Sequence, residues 1–113
     1  MITMDNELSL TLSILRIHTG EANAISGKQL ARDLGFSEND TREVRSIVRE
    51  LRRLGEPVLA SNDGYFLPNS YEEADRFCQK LKTHAIDEII TRRDIRRALA
   101  GYFEMAKARR LFD

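Results

Sequence analysis

Residues 40–54 read DTREVRSIVRELRRL, and residues 55–67 continue as GEPVLASNDGYFL. At about 100° per residue, the first segment forms an amphipathic helix. Its apolar side chains share one face, which consists of Val44, Ile47, Val48, Leu51 and Leu54. Its opposite face carries Arg42, Arg45, Ser46, Arg49 and Arg53. The pattern predicts a helix with one face for a protein core and another that suits an anionic partner.

The ends and flanks of this helix sharpen the prediction. Asp40 and Glu43 have the spacing of a capping box at its first turn. Glu43 and Glu50 fall together on one flank, which is expected to leave the arginine face free of acidic side chains. Arginines on a helix exterior are also typical of a surface that is merely solvated. This helix alone therefore leaves both interpretations open.

The segments before this helix predict two further helices. Residues 8–17 favour a helix of about three turns that follows a frayed terminus and ends near Thr19-Gly20. Residues 24–26 favour a very short strand. Ser26 and Gln29 have capping-box spacing and open a brief helix over residues 28–34, which Gly35 ends. A short helix, a turn and the arginine-bearing helix make a helix-turn-helix pattern.

The segment after the arginine-bearing helix predicts a small β-hairpin. Gly55 and Pro57 end the helix, and residues 58–61 have the composition of a strand. Residues 62–64 read Asn-Asp-Gly, a hairpin turn, and residues 65–67 return as the second strand before Pro68. A helix-turn-helix followed directly by a hairpin predicts a winged helix: a mainly α fold with a small β-hairpin wing.

The runs ISGKQLARDLGF and VRSIVRELRRLGEPVLASNDGYFLP carry a family resemblance. They resemble the winged helix-turn-helix at the N-terminus of the bacterial biotin operon repressor and related small regulators of bacteria and phages. The resemblance covers roughly residues 8–68 and carries none of the biotin-ligase chemistry. The turn over residues 36–41 is longer here than in that family, which bears on where the recognition helix starts and how it tilts.

The resemblance implies double-stranded DNA as the partner, because in that family the second helix of the motif enters the major groove. The recognition helix would span about residues 41–54. The resemblance implies DNA contacts by Arg42, Arg45, Ser46 and Arg49, with the wing residue Asn62 nearby. The residues themselves add two candidate DNA-binding residues, Lys28 and Arg53. Early recognition-helix residues reach base edges, where arginine reads guanine O6 and N7. Lys28 begins the preceding helix, whose free N–H groups suit a phosphate. Asp63 beside Asn62 is acidic, which favours a wing that mainly stabilises the domain.

Residues 70–113 predict a helical extension of the winged domain, which we assign to residues 1–69. Residues 70–73 form a capping box, and apolar residues follow at helical spacing as one long helix or as two with a new cap near residues 91–94. The extension either packs on the winged domain or forms a homodimer seam. Cys78 is expected to be a small buried group. The basic residues of the helical extension either form a second contact with an anionic partner or make up a solvated face. They are Arg92, Arg93, Arg96 and Arg97.

Composition and charge distribution exclude several other classes. The 113 residues carry 18 basic and 18 acidic side chains, yet residues 92–110 hold seven basic and two acidic ones, so charge is segregated along the chain. No apolar run approaches a membrane span, and no signal peptide is recognisable. A single cysteine favours a reducing cytoplasm. His18 and His84 lack partners at metal-ligand spacing, and no catalytic or cofactor motif occurs, so we expect neither an enzyme nor a small-molecule substrate.

Two functional classes remain. The favoured one is a sequence-specific DNA-binding regulator of transcription or replication. The alternative is a winged helix that docks a protein partner, which the neutral net charge and the acidic wing favour. Salt dependence discriminates between them, because arginine–phosphate contacts weaken steeply as salt rises.

Overall fold

A computed structural model describes residues 4–112, with side chains described at residues 6–105, 107 and 109. Its elements, in chain order, are α1 (Met4–Arg16), a 3₁₀ turn (Glu21–Asn23), α2 (Gly27–Asp33), α3 (Thr41–Arg53), β1 (Leu59–Ser61), β2 (Gly64–Phe66) and α4 (Tyr71–Phe112). The fold is mainly helical with one small antiparallel hairpin, as predicted. The order of α2, α3 and the hairpin is that of a winged helix-turn-helix.

The N-terminus differs from the prediction. Helix α1 begins at Met4, so the expected frayed terminus is wrong for residues 4–6, and residues 1–3 lie outside the described part.

The core lies between α1, α2, α3 and the hairpin. Its buried apolar cluster contains Leu8, Leu15, Ile25, Leu30, Ala31, Leu34, Val44, Ile47, Val48, Leu51 and Val58. Burial follows the helical period of α3, because Val44, Ile47, Val48 and Leu51 recur every three or four residues. Thr11 is fully buried, and its hydroxyl donates to the carbonyl of Glu7 at 2.7 Å, which satisfies the polar group.

Helix α2 is capped at its start by Ser26, as predicted, but not reciprocally. The Ser26 hydroxyl accepts from the Gln29 N–H at 3.1 Å. The Gln29 side chain instead donates to Asp33 at 2.7 Å, so the returning half of the capping box is absent. Gly35 ends the helix at φ +85°, and the Phe36 N–H donates to the Ala31 carbonyl at 2.8 Å. This backbone pattern is a Schellman C-cap, in which glycine takes the left-handed position.

The predicted stop of α3 at Gly55 is confirmed, since Gly55 has φ +97° and its N–H donates to the Arg52 carbonyl at 3.1 Å. Two other predicted details at the ends of α3 are wrong. The Asp40 side chain makes no capping hydrogen bond, because the preceding loop holds Asp40 at φ −90° and ψ 45°; only its backbone carbonyl accepts from the Glu43 N–H, at 3.2 Å. Leu54 was expected in the core, yet 64% of it is exposed. Leu54 is the C-cap residue, where the chain leaves the helix and turns at Gly55. The helical period no longer fixes a side chain's direction at that point.

The hairpin pairs Leu59 with Phe66 and Ser61 with Gly64, around a turn at residues 62–63. The predicted bounds are off by one residue, because Gly64 pairs with Ser61 as the first residue of β2 and is not part of the turn, and Val58 and Leu67 lie outside the strands. The very short strand predicted at residues 24–26 is a single bridge, in which Ile25 and Tyr65 exchange backbone hydrogen bonds at 2.9 and 2.8 Å. Gly64 lies at this crossing with φ +127°, where a Cβ atom would collide with the Ile25 carbonyl. Glycine is required there by the close approach of two backbones.

Helix α4 is one continuous helix from Tyr71 to Phe112, which decides between the two predicted arrangements. The Ser70 half of the predicted capping box is confirmed: the Ser70 hydroxyl accepts from the Glu73 N–H at 3.1 Å. The returning half differs, because the Glu73 side chain does not accept from the Ser70 N–H. The Glu73 carboxylate accepts from the N–H groups of Asn69 and Glu21, at 3.0 and 3.2 Å.

The chain divides into two compact units, Met1–Phe77 and Cys78–Asp113. Every described side chain from Cys78 onward is exposed, so the expectation that Cys78 is buried is wrong. Within the described residues, none of the helices has the length and apolar character needed to cross a membrane.

Candidate nucleic-acid interface

The outward-facing side chains of α3 surround a shallow, open depression on the surface of the first unit, which we call the α3 groove. The groove is lined by Arg42, Glu43, Arg45, Ser46 and Arg49. All five side chains are exposed, while Val44, Ile47 and Val48, which alternate with them along the helix, are buried in the core. Because the core fixes the rotation of α3, the groove is held on the outside of the domain. This is the arrangement that the helical period of residues 40–54 predicted.

The arginines in the groove differ from Arg52 and Arg53 in having no side-chain partner among the described residues. Within the residues described, Arg42, Arg45 and Arg49 take part in none of the salt bridges or side-chain hydrogen bonds. Arg53, by contrast, lies 3.6 Å from the carboxylate of Glu50 in an exposed i,i+3 pair. Such a pair is worth little in water, but it withdraws part of the charge of Arg53 from an incoming anion. The free positive charge of α3 is therefore concentrated on its first two and a half turns.

An acidic side chain also lines the groove. Glu43 was expected on the flank of α3, which would have left the arginine face free of acids, and the structure corrects this. Glu43 belongs to the first turn, where a carboxylate interacts favourably with the helix dipole. An anion in the groove therefore meets three guanidinium groups and one carboxylate. Compared with a uniformly basic surface, this mixed arrangement of charges favours contacts with particular groups of a partner over general attraction to any anion.

Arg52 has a structural contact that sequence reasoning missed. Its Nε–H donates to the carbonyl of Val58 at 2.8 Å, and its guanidinium carbon lies 5.9 Å from the ring centroid of Phe77. Arg52 therefore joins the end of α3 to the residue that leads into the hairpin and to the first turns of α4. No local pattern indicates this contact, because it depends on the path of the chain after Gly55.

The remaining implied DNA-binding residues lie on other elements. Lys28 is exposed in the first turn of α2, and Asn62 is exposed in the turn of the hairpin. Neither of them lines the α3 groove. Of the seven residues that the sequence and the resemblance singled out, the structure brings four together in one groove: Arg42, Arg45, Ser46 and Arg49.

The chemistry available in the groove is that of recognition by hydrogen bonds and charge. A guanidinium group presents donors in a planar fork that matches a phosphate or the O6 and N7 edge of guanine. Ser46 adds a hydroxyl that both donates and accepts. Within the part of the chain that is described, no three His, Cys, Asp or Glu side chains are grouped as a metal site requires.

Comparison with known proteins gives no match: no protein-family model matches the chain, and no curated protein or solved structure is significantly similar to it. The resemblance to the biotin operon repressor domain therefore rests on the motif residues quoted above.

Proposed function

We propose that this protein is a small DNA-binding regulator that inserts α3 into the major groove of double-stranded DNA. The single observation that carries the proposal is the row of unpaired guanidinium groups at Arg42, Arg45 and Arg49 on a helix whose opposite face is buried. An α-helix fits the major groove of B-DNA, where each base pair displays its own donor and acceptor pattern. The rigid attachment of α3 to the core supports readout in a fixed orientation.

We assign different roles to the two ends of α3. Arg42, Arg45 and Ser46 belong to the N-terminal half of the helix, the half that contacts base edges when a recognition helix docks. Arg49 is one turn further on and suits either a base or a phosphate. Arg53, already paired with Glu50, is assigned to the DNA backbone. Lys28 and Asn62 are assigned phosphate contacts that position the domain and carry no sequence information.

The biological role follows from this assignment as a proposal. We propose a binding protein with no catalytic role that acts in transcription or replication control of a bacterium or phage. The combination of a winged domain with a long helix supports this role. We propose a cytoplasmic location, because the single cysteine suits a reducing compartment. Helix-turn-helix proteins commonly pair to cover two half-sites, so a homodimer through α4 is part of the proposal.

The test is fluorescence anisotropy of a labelled random duplex pool across a salt series, with wild type and the variant Arg45→Ala/Arg49→Ala. We expect wild-type affinity to fall steeply between about 50 and 200 mM salt, because protein–phosphate contacts release counterions. The variant is expected to bind at least ~10-fold more weakly with a shallower salt slope, because removing two guanidinium groups reduces the number of counterions that binding releases.

The matched control is Arg93→Ala/Arg97→Ala, which removes the same two charges from α4. This control should retain most of the affinity, because those residues lie outside the α3 groove. Equal losses in the two variants would mean that affinity comes from overall charge. An absence of binding by folded wild-type protein at low salt would contradict the proposal and favour the alternative, in which the α3 face docks a protein partner.

A further inference from the structure

Helix α4 presents apolar side chains that nothing in the described chain covers. Beyond Phe77 every described side chain is exposed, including Leu81, Ile95, Leu99 and Tyr102 with exposed fractions of 53%, 53%, 46% and 66%. A single helix of this kind is only marginally stable in water, because most helical stability in proteins comes from packing an apolar face. Large exposed apolar side chains along one helix therefore indicate a surface that is covered in the working assembly.

Some of the exposed apolar residues follow a heptad pattern, whereas Ile86, Ile89, Ile90, Phe103 and Met105 lie outside it. Positions that alternate by three and four residues hold Cys78, Leu81, Ala85, Glu88, Arg92, Ile95, Leu99 and Tyr102, which we name the α4 seam. All of them are small or apolar except the central pair, Glu88 and Arg92. A repeat of 3.5 residues keeps such positions facing one partner helix along a left-handed supercoil.

We propose that the α4 seam pairs with the α4 seam of a second copy of this chain, in an antiparallel two-helix interface whose two-fold axis passes midway between Glu88 and Arg92, level with position 90 along the helix. The pattern is symmetric about that position. Leu81 then meets the partner's Leu99, Ala85 meets the partner's Ile95, and Cys78 meets the partner's Tyr102. A two-fold interface uses the same patch on both subunits, so it requires this kind of self-complementary sequence.

The two central charges select the orientation. In a parallel pair aligned in register, Glu88 would face the partner's Glu88, and Arg92 would face the partner's Arg92. In the antiparallel pair, Glu88 faces the partner's Arg92 twice, once on each side of the axis. Neither side chain has a hydrogen bond or salt bridge within the described chain, so both are available for this pairing. Like charges at the centre of an interface oppose association, and opposite charges fix its register.

One like-charged approach remains in the antiparallel arrangement. Lys82 lies near the partner's Arg96 at the edge of the seam. Both positions are exposed in the single chain and lie at the rim of the interface, where water and salt screen the repulsion. The paired charges at the centre are more deeply enclosed and therefore count for more. This inference rests on the α4 homodimer of the proposed function and specifies its orientation. A dimer that binds no DNA would leave it standing, and a monomer that binds DNA would overturn this inference and leave the DNA-binding proposal intact.

The first experiment measures the dimer dissociation constant of the full chain by sedimentation equilibrium. Glu88→Arg is expected to weaken dimerisation at least ~30-fold, because arginines then face each other across the seam. Glu88→Arg/Arg92→Glu should restore dimerisation, since the exchanged charges again face their opposites. A monomeric wild type would overturn the proposal and mean that a different protein covers the seam. A Glu88→Arg variant as tightly paired as wild type, or a double variant that stays weak, would overturn it as well.

A matched apolar pair checks that the seam, and not general stickiness, drives association. Leu99 belongs to the seam, whereas Ile90 lies on the opposite side of the heptad, and their exposed fractions are similar at 46% and 40%. Leu99→Ser should weaken dimerisation at least ~10-fold, and Ile90→Ser should change it less than ~3-fold. Equal effects would contradict the proposed face. Far-UV circular dichroism under dimer-forming conditions verifies that both variants retain the wild-type helix content.

The native cysteine reports the orientation directly. In the antiparallel pair the two Cys78 residues are separated by roughly 36 Å along the helix axis, at ~1.5 Å per residue, so wild type should form no disulfide-linked dimer. Tyr102→Cys, in the presence of Cys78, should form a linked dimer on mild oxidation. Cys78→Ser/Tyr102→Cys should not. Efficient linking of wild type through Cys78 alone would establish the parallel arrangement and overturn the proposal.

Discussion

Replacing Gly64 with alanine tests the close crossing of the hairpin over Ile25. Gly64 lies at φ +127°, and an added Cβ would meet the Ile25 carbonyl and lie 2.8 Å from the Cα of Ser26. Those contacts are backbone atoms that cannot rotate away. The residue would have to leave this conformation, at a cost of about 1–2 kcal/mol for a non-glycine residue held there. The two Ile25–Tyr65 backbone hydrogen bonds would also weaken, at about 1 kcal/mol each. We expect Gly64→Ala to destabilise the first unit by about 3–4 kcal/mol.

Two other glycines provide graded controls. Gly35 also has positive φ, at +85°, but a Cβ there meets nothing within 4 Å, so Gly35→Ala should cost only about 1–2 kcal/mol of backbone strain. Gly101 lies within α4, and a Cβ there likewise meets nothing within 4 Å. Gly101→Ala should stabilise that helix by about 0.5–1 kcal/mol, because alanine has the higher helix propensity.

The assay is urea unfolding combined with amide hydrogen exchange, because exchange at Ile25 and Tyr65 reports the crossing itself. Protection of these two amides should fall far more in Gly64→Ala than in Gly35→Ala, while Gly101→Ala leaves it unchanged. If Gly64→Ala were no more destabilising than Gly35→Ala, the close approach at Ile25 would be refuted as the reason for glycine at position 64.

Two pairs of neighbouring residues give further predictions. Arg52→Ala should destabilise the first unit by about 1–2 kcal/mol, because it loses a charged hydrogen bond to the Val58 carbonyl. Arg53→Ala should cost less than about 0.5 kcal/mol, because it loses only an exposed ion pair. Equal midpoints of urea unfolding in the two variants would contradict the role of Arg52. Glu73→Ala should destabilise the first unit by about 1–2 kcal/mol more than Glu72→Ala, because Glu73 accepts two backbone N–H bonds. Glu72 is the matched control, since both carboxylates lie in the first turn of α4 and interact with its dipole. Equal shifts of the thermal unfolding midpoint in the two variants would contradict the role of these hydrogen bonds.

The helical period predicted the part of the structure that positions the groove. Val44, Ile47, Val48 and Leu51 are buried as the spacing in α3 required, and the arginines opposite them are exposed. This worked because a long helix with a strong apolar face has only one way to rotate against a core. The hairpin was predictable for a similar reason: the Asn-Asp-Gly turn lies between two short apolar runs.

The errors occur where the path of the chain, and not the local pattern, sets the environment. Leu54 continues the apolar spacing of α3 but is the C-cap residue and is exposed. Arg52 resembles the neighbouring arginines in sequence, yet it contacts Val58, which the chain reaches only after the turn at Gly55. Cys78 was expected to be buried because it lies within the apolar spacing of α4. That spacing does not say whether a helix packs against its own chain, and Cys78 is exposed. In α4 the described side chains from Cys78 onward are exposed, so its apolar spacing does not reflect packing within the chain.

The central claim is that α3 reads base edges in the major groove, and a thermodynamic cycle between an arginine and a guanine tests it most directly. Selection from the random duplex pool provides the preferred site, and 7-deazaguanine then replaces each guanine in turn, which removes the N7 acceptor. We predict that one such replacement weakens wild-type binding about 5- to 30-fold and does not weaken Arg45→Ala further, because the same hydrogen bond has already been lost. Additive losses at every guanine, or a selection that yields no preferred site, would contradict the claim.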